Sequence, residues 1–318
     1  MKLGIFLPIS GRSATRATLM EAARQAEAWG YDSVWTADRI FIPWEIRTPY
    51  PYNYADGSHF LVPPDRPFLE PLTCLAFLAG CTERILLGMS VLVMPYRHPL
   101  YWAKIATTID HLSHGRLILG VGVGWMVEEF EPLGAPFKER GEMANEHLQI
   151  VEKLWGEERP RFEGRFFQFD NVAFYPKPYQ KPRVPIWVGG ESAPAQRRAA
   201  RYGDAWFSYF VRITPQELAA KFANVRQLAK DAGRDPNEVH LSCCRPIEVT
   251  SEPVPQEPDR LKGTPTQLVE ALRGYEKIGV HHIALQFTAP RYPERVQQIE
   301  RFAREALPTL RKDSQEAS

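Results

Sequence analysis

Residues Arg84–Phe130 read RILLGMSVLVMPYRHPLYWAKIATTIDHLSHGRLILGVGVGWMVEEF, and this stretch decides the fold. It opens with an apolar run, Ile85 to Val93, of the length and Leu/Val content of a strand buried on both faces. A helical pattern follows from Pro99 to about Leu112, with proline where a first helical turn tolerates it. His114-Gly115 ends that helix, glycine supplying the left-handed cap. A second apolar run, Leu117 to Val123, comes directly after. Strand, helix and strand with short joints make a βαβ unit, whose crossover makes the two strands parallel. The joints Met94–His98 and Gly122–Trp125 carry polar and aromatic residues at the carboxyl ends of the strands, where parallel α/β folds bind ligands.

Outward from there the chain keeps alternating. Strands are expected at 2–8, 31–37, 185–188, 205–208, 239–249 and 281–287. Helices are expected at 15–29, 68–81, 137–155, 192–202, 215–232, 264–278 and 293–310. In the first helix Leu19, Ala22, Ala23 and Ala26 form the inward stripe; in the 137–155 helix Met143, Leu148, Val151, Leu154 and Trp155 do. Eight strand–helix pairs in 318 residues favour a (β/α)8 TIM barrel, one domain over 1–318 with insertions after strands 2 and 4. The first insertion, Ile40 to Pro67, has no helical period and holds Trp44, Tyr50, Tyr52 and Tyr54 among prolines, which reads as a lid. The second carries an expected hairpin over 161–174. No GxGxxG follows the first strand, against a dinucleotide-binding sheet.

A formal net charge of +1 supplies no field for nucleic acid or an anionic membrane. No apolar run approaches the roughly 20 residues of a membrane span. The first strand begins at Lys2 without a signal-peptide core, so a cytoplasmic protein is expected. Cys74, Cys81, Cys243 and Cys244 lack metal-ligand spacing; they read as small apolar residues, and no metal site is expected.

Three places carry chemistry. At Gly189-Gly190-Glu191-Ser192, between a strand and a helix, two glycines permit close backbone approach and the helix start favours an anion; the reading is a phosphate cradle or a plain tight turn. Along Gly88 to Met94, a glycine with Met89, Ser90, Val91 and Met94 can wall a flat conjugated ring or simply pack the barrel, and Arg97 and His98 follow as reactive groups or as a salt bridge and a cap. Asp38-Arg39, with Trp44 beyond, stands at a strand's carboxyl end, either handling protons and substrate or anchoring the loop. The run TIDHLSHGR falls at the opposite, stability end and reads as a pinned turn.

The chain resembles the luciferase-like monooxygenase superfamily, through LGIFLP at the start, GYDSVWTAD at 30–38, RILLGMSVLVMPYRHP at 84–99, AKIATTIDHLSHGRLILGVGVGW at 103–125, PIWVGGES at 185–192 and GTPTQLVEALRGYEKIGVHHIAL at 263–285. GVGVGWMVEEFEPLG resembles its F420-dependent branch. The resemblance implies a reduced cofactor, coenzyme F420 ahead of FMN, and a non-prolyl cis peptide at Ser90–Val91 pressing on the ring. It implies ring contacts from Asp38 and from the Gly122, Val123 and Gly124 joint, and phosphate at Gly189, Gly190, Glu191 and Ser192. Two departures matter: sugar-phosphate dehydrogenases of the superfamily have Asp-His where this chain has Asp38-Arg39, and a Glu where it has Trp125. Trp44 does match a tryptophan of those enzymes, but losing both His and Glu removes their acid/base pair and argues against sugar-phosphate oxidation. Asp38, Arg39, Trp44, His98 and Trp125 are the catalytic candidates, and a pocket walled by Trp44, Trp125 and the tyrosines suits a small apolar or aromatic substrate. Hydride transfer with F420 is the leading expectation, FMN-dependent monooxygenation the second and a non-catalytic flavin-binding protein the third. A homodimer and a separate flavin or F420 reductase are the expected partners.

Overall fold

The computed structural model describes residues 1–52, 60, 62–210 and 212–316, with side chains through Lys312. Eight strands among the described residues close into a barrel: β1 (Lys2–Phe6), β2 (Ser33–Thr36), β3 (Leu86–Val93), β4 (Leu117–Gly122), β7 (Ile186–Gly189), β8 (Ala205–Tyr209), β9 (His240–Val249) and β11 (Val280–Phe287). Each pairs in parallel with the next, and β11 closes on β1 through Lys2↔His282 and Ile5↔Leu285. A (β/α)8 barrel is the result. Between β4 and β7 lies a two-strand antiparallel hairpin, β5 (Phe162–Glu163) and β6 (Gln168–Phe169), and β10 (Leu261–Gly263) adds to the outer end of β9.

The helices run α1 (Arg16–Ala28), α2 (Pro71–Ala79), α3 (Pro99–Leu112), α4 (Val127–Phe130), α5 (Arg140–Gly156), α6 (Ala193–Tyr202), α7 (Pro215–Asp231), α8 (Pro265–Lys277), α9 (Tyr292–Glu305) and α10 (Leu307–Glu316). Their starts follow local chemistry: Thr15 caps α1, and Thr214 and Thr264 close capping boxes with Glu217 and Gln267. The apolar faces pack between helices and barrel, α1 burying Leu19, Ala22, Ala23 and Ala26 as its spacing requires. In α5, Met143 is only half-buried; Ala144 and His147 join Leu148, Val151, Leu154 and Trp155 inside. The final helix is two: α9 stops and α10 begins at Leu307-Pro308, because proline in a helix interior removes a donor and clashes with the preceding turn.

Inside the barrel, aromatic rings fill the floor. Trp35 lies 5.2 Å from Trp187 and 5.0 Å from Phe207, with His282 edge-on at 5.6 Å. Gly88 exists for this ring: a Cβ there would stand 2.3 Å from Trp35 Cε3. The close approach expected at Gly88 is made by a tryptophan ring. Cys243 packs in the outer layer and Cys244 inside the barrel, and all four cysteines are free. At the amino ends of the strands Arg116 donates to the carbonyls of Ala79, Thr82, Ile85 and Ser113, while Asp110 accepts two hydrogen bonds from Gln180. That end of TIDHLSHGR is a pinned turn. No helix among the described residues is long and apolar enough to cross a membrane.

Candidate active site at the barrel mouth

The carboxyl ends of the strands form the mouth. On β3 the Ser90–Val91 peptide is cis, and the pairing with β4 slips between Met89 and Leu92. The slip turns Val91 into the barrel against three glycines: a Cβ on Gly120, Gly122 or Gly189 would lie 3.3, 2.6 or 3.0 Å from a Val91 methyl. The floor of the mouth is thus one valine side chain ringed by bare backbone, the kind of surface on which a flat ring can lie. Met89 is not part of it. It is fully buried in the outer layer, its sulfur accepting from Thr36 Oγ1 at 3.4 Å, because neighbouring strand residues face opposite ways. Met94 is buried in that same layer.

Two ion-paired networks brace the mouth. Asp38 accepts from both terminal nitrogens of Arg97, at 2.7 and 2.8 Å, and from the Val93 N–H at 2.8 Å. Arg97 also reaches Glu70 at 3.0 Å. Burial works against the Arg97 charge, but Asp38 and Glu70 outweigh it and hold the guanidinium more firmly protonated than usual. Beside it Arg39 pairs with Glu129, which also accepts from Tyr96 Oη at 2.8 Å and from the Ile40 N–H at 3.3 Å. Burial pushes Glu129 up, with Arg39 acting in the opposite direction, and pushes the Tyr96 hydroxyl up as well. The adjacent Glu128 accepts from the Arg47 and Thr48 N–H groups at 2.7 and 3.0 Å and from Thr48 Oγ1 at 2.7 Å. Two neighbouring carboxylates on α4 therefore grip both ends of the 40–48 segment.

Above these networks sits a canopy of rings. Trp125 meets Tyr50 at 5.2 Å and Phe60 at 5.7 Å, Tyr50 meets Tyr52 at 5.6 Å, and Tyr52 reaches Tyr209 on β8 at 5.3 Å. Arg39 lies under it, 4.8 Å from the Phe60 ring and 5.6 Å from Trp125. The lid reading holds for Tyr50, Tyr52 and Phe60, whereas Tyr54 falls outside the described residues. Trp44 does not wall this pocket: it is 84% exposed. His98 is also turned elsewhere. Its Nδ1 accepts from Leu100 N at 3.3 Å as the cap of α3, its ring packs edge-on to Phe167 at 5.2 Å, and burial lowers its pKa.

On the far side of the mouth β7 ends at Gly189, and Gly190 takes φ +106°, a conformation that L side chains rarely adopt. Ser192 caps α6 through Ala195 N, and the Gly190 carbonyl accepts from Trp206 Nε1 at 2.9 Å. The Glu191 carboxylate turns inward and accepts from the Tyr209 N–H at 2.5 Å. Burial pushes this acid up to about 7, the Tyr209 N–H acting in the other direction. A left-handed glycine ahead of a ten-residue helix leaves room for an anion to meet backbone, so the residues present fit a phosphate. They also set a carboxylate beside it.

The structure brings together Asp38, Arg39, Val91, Gly122, Trp125 and Gly189, and adds Tyr96, Glu129 and Tyr209, which the sequence reading passed over. The Glu128-Glu129 pair just after the fourth strand was the available signal. Among the described residues no group of three or more His, Cys, Asp and Glu side chains gathers as a metal site.

A family model described as luciferase-like monooxygenase matches residues 1–253. An uncharacterised protein of Mycobacterium tuberculosis is 35% identical over 220 residues, 69% of this chain and 74% of that one. A phthiodiolone/phenolphthiodiolone dimycocerosates ketoreductase of Mycobacterium kansasii is 34% identical over 223 residues, 69% of this chain and 59% of that one. Among solved structures, an F420-dependent secondary alcohol dehydrogenase in complex with an F420-acetone adduct superposes with a TM-score of 0.73 at 19% identity, over 97% of this chain and 98% of the other.

Proposed function

This chain belongs to the luciferase-like monooxygenase family, and from that premise we propose that it is an F420-dependent oxidoreductase transferring a hydride between the deazaflavin and a small apolar or aromatic substrate. One observation carries the reading: a glycine-ringed floor at Val91 faces a canopy of Trp125, Tyr50, Tyr52 and Phe60, with a glycine-rich anion cradle at one side. The ketoreductase and alcohol dehydrogenase likenesses agree with carbonyl–alcohol chemistry.

When bound, F420 would supply a hydride donor or acceptor at its ring carbon. The protein's part is positioning and exclusion of water. Ser90, Val91, Gly122, Val123 and Gly124 would support the ring, and Gly189, Gly190, Glu191 and Ser192 would hold the phosphate. Asp38, fully engaged by Arg97 and Val93 N, fixes the exit of β3. Arg39 sets its guanidinium under the aromatic roof, aligned by Glu129, and orients a polar substrate oxygen. Trp125 and the tyrosines keep water out. A separate reductase, a homodimeric assembly and a cytoplasmic location belong to the same proposal.

The closed canopy also favours a second reading, FMN-dependent monooxygenation, since oxygen chemistry on reduced flavin needs a dry site. Paired titrations with F420 and FMN, oxidised and reduced, followed by calorimetry or fluorescence, decide between them. Selective tight binding of F420 supports the first reading and selective binding of FMN the second. Binding of neither overturns both.

A further inference from the structure

The segment that leads from Arg39 back to the canopy is apolar and stays outside the core. Residues 40–46 read IFIPWEI, with one polar residue in seven, and none of the seven is buried. Ile40 is 38% and Trp44 84% exposed, and none of the six apolar residues joins the apolar clusters that fill and surround the barrel. Contiguous exposed apolar surface of this kind marks a place where a ligand or partner lies. The segment is held as an arch. Glu129 accepts from Ile40 N at one foot, and Glu128 accepts from Arg47 N and Thr48 N at the other. Thr48 Oγ1 returns the grip by accepting from Val127 N at 3.2 Å. Both feet stand at the mouth: Arg39, just before the arch, lies under the canopy, and Tyr50, just after it, is part of the canopy.

We infer that this arch seats an apolar chain of the substrate: the reacting carbonyl or carbinol end lies under the canopy, and an unbranched hydrocarbon chain attached to it runs out along residues 40–46. The inference rests on the function proposed above and names the substrate class, a long-chain ketone or secondary alcohol. Between Arg39, 9% exposed, and Ile40, 38% exposed, the backbone passes from the site to the surface in one residue, so the arch begins where the site ends. A hydrocarbon chain gains from every methylene taken out of water and asks for no hydrogen bond, which matches a surface of isoleucine, phenylalanine, proline and tryptophan side chains.

Two other occupants fit the arch less well. A stable contact with a second copy of the chain takes about 20–30 residues a side, and the arch offers seven. An anionic lipid surface is met by clusters of lysine and arginine. Here Glu45 offsets the neighbouring Arg47, and the two feet rest on the carboxylates of Glu128 and Glu129.

The test titrates the full-length protein, alone and loaded with F420, with straight-chain alkan-2-ones of increasing length, followed by calorimetry, alongside Ile42→Ser and Trp44→Ser. In the wild type Kd should tighten about two- to fourfold per added methylene, the lower figure for a chain covered on one side only. In either serine variant the gain per methylene should fall to about 1.5-fold or less, with the melting temperature of the wild type retained. Acrylamide quenching of Trp44, read as the difference between wild type and Trp44→Phe, should drop when a long ketone binds and stay level with butan-2-one. A Kd independent of chain length, or the same gain per methylene in both variants, would overturn the assignment of the arch while leaving the proposed function standing. If long ketones bind as expected but neither they nor the matching alcohols turn over with F420 or FMN, the proposed function fails and the arch remains a seat for an apolar chain. Loss of a dimer in sedimentation, or of binding to phosphatidylglycerol vesicles, in variants whose ketone Kd is unaltered would give the arch to a second copy or to a lipid surface and overturn the inference.

Discussion

Arg97 holds both carboxylate oxygens of Asp38 across 59 residues of chain, tying the end of β2 to the exit of β3 at the rim of the mouth. The pair is nearly solvent-free, with the Asp38 side chain 0% and the Arg97 side chain 10% exposed. The pair fits the loop-anchoring reading of Asp38, and what it anchors is the segment that follows the Val91 floor.

Removing one member of a buried pair leaves the other charged and unpaired, which costs about 3–5 kcal/mol. Asp38→Asn should therefore lower the denaturant midpoint strongly. Combining it with Arg97→Met should recover a good part of that loss, because the unpaired cation is gone. A double variant as unstable as the sum of the two singles would show that the pair is not coupled.

A second prediction concerns the barrel floor. Gly88→Ala places a methyl 2.3 Å from the fully buried Trp35, which is hemmed in by Trp187, Phe207 and His282. Overpacking of this kind costs about 1–3 kcal/mol, and more where rings cannot turn aside. Thermal unfolding with near-ultraviolet circular dichroism should report both the loss and a changed tryptophan environment. An unaltered melting temperature would mean that the ring has room to shift.

These two sites show where the sequence was legible and where it was not. Local chemistry was readable: the proline at the start of α3 and the His114-Gly115 stop, both at positive φ, bound that helix from Pro99 to Leu112. Alternation placed Cys243 and Cys244 on opposite faces of β9. Meetings of distant residues were not readable. Nothing in the run around Gly88 announces that Trp35 fills the space, and nothing at Arg39 announces Glu129, 90 positions away. Trp44 matched a family position, yet a motif match carries no statement about which way a loop side chain turns, and here it turns outward.

The raised pKa of Glu191 predicts a pH dependence of stability. Its folded value of about 7 lies above the ordinary carboxyl value of 4.5, so the folded chain holds this proton more tightly than the unfolded chain. That contribution is fully present below pH 4.5 and is lost as pH rises to about 7. Relative to wild type, Glu191→Gln should thus gain stability between pH 5 and pH 8, on the order of 2 kcal/mol once partial exposure is discounted. Urea denaturation of both proteins across that range checks it; a constant difference would place the wild-type titration elsewhere.

The last prediction separates Trp125 from His98, two residues at neighbouring strand exits that the sequence alone ranked together. Trp125 joins the canopy, touching Tyr50 and Phe60 and lying over Arg39, whereas His98 caps α3 and packs on Phe167. Trp125→Ala opens the roof without touching the cradle, so turnover should fall by tenfold or more while cofactor Kd changes by less than about threefold. His98→Ala removes a cap worth about 1 kcal/mol, and His98→Asn should restore it, with turnover close to wild type in both. The two variants thus differ in kind, one lowering kcat at constant melting temperature and the other lowering melting temperature at constant kcat. A tenfold loss of turnover in His98→Asn would return this histidine to the chemistry, and wild-type turnover in Trp125→Ala would remove the tryptophan from it.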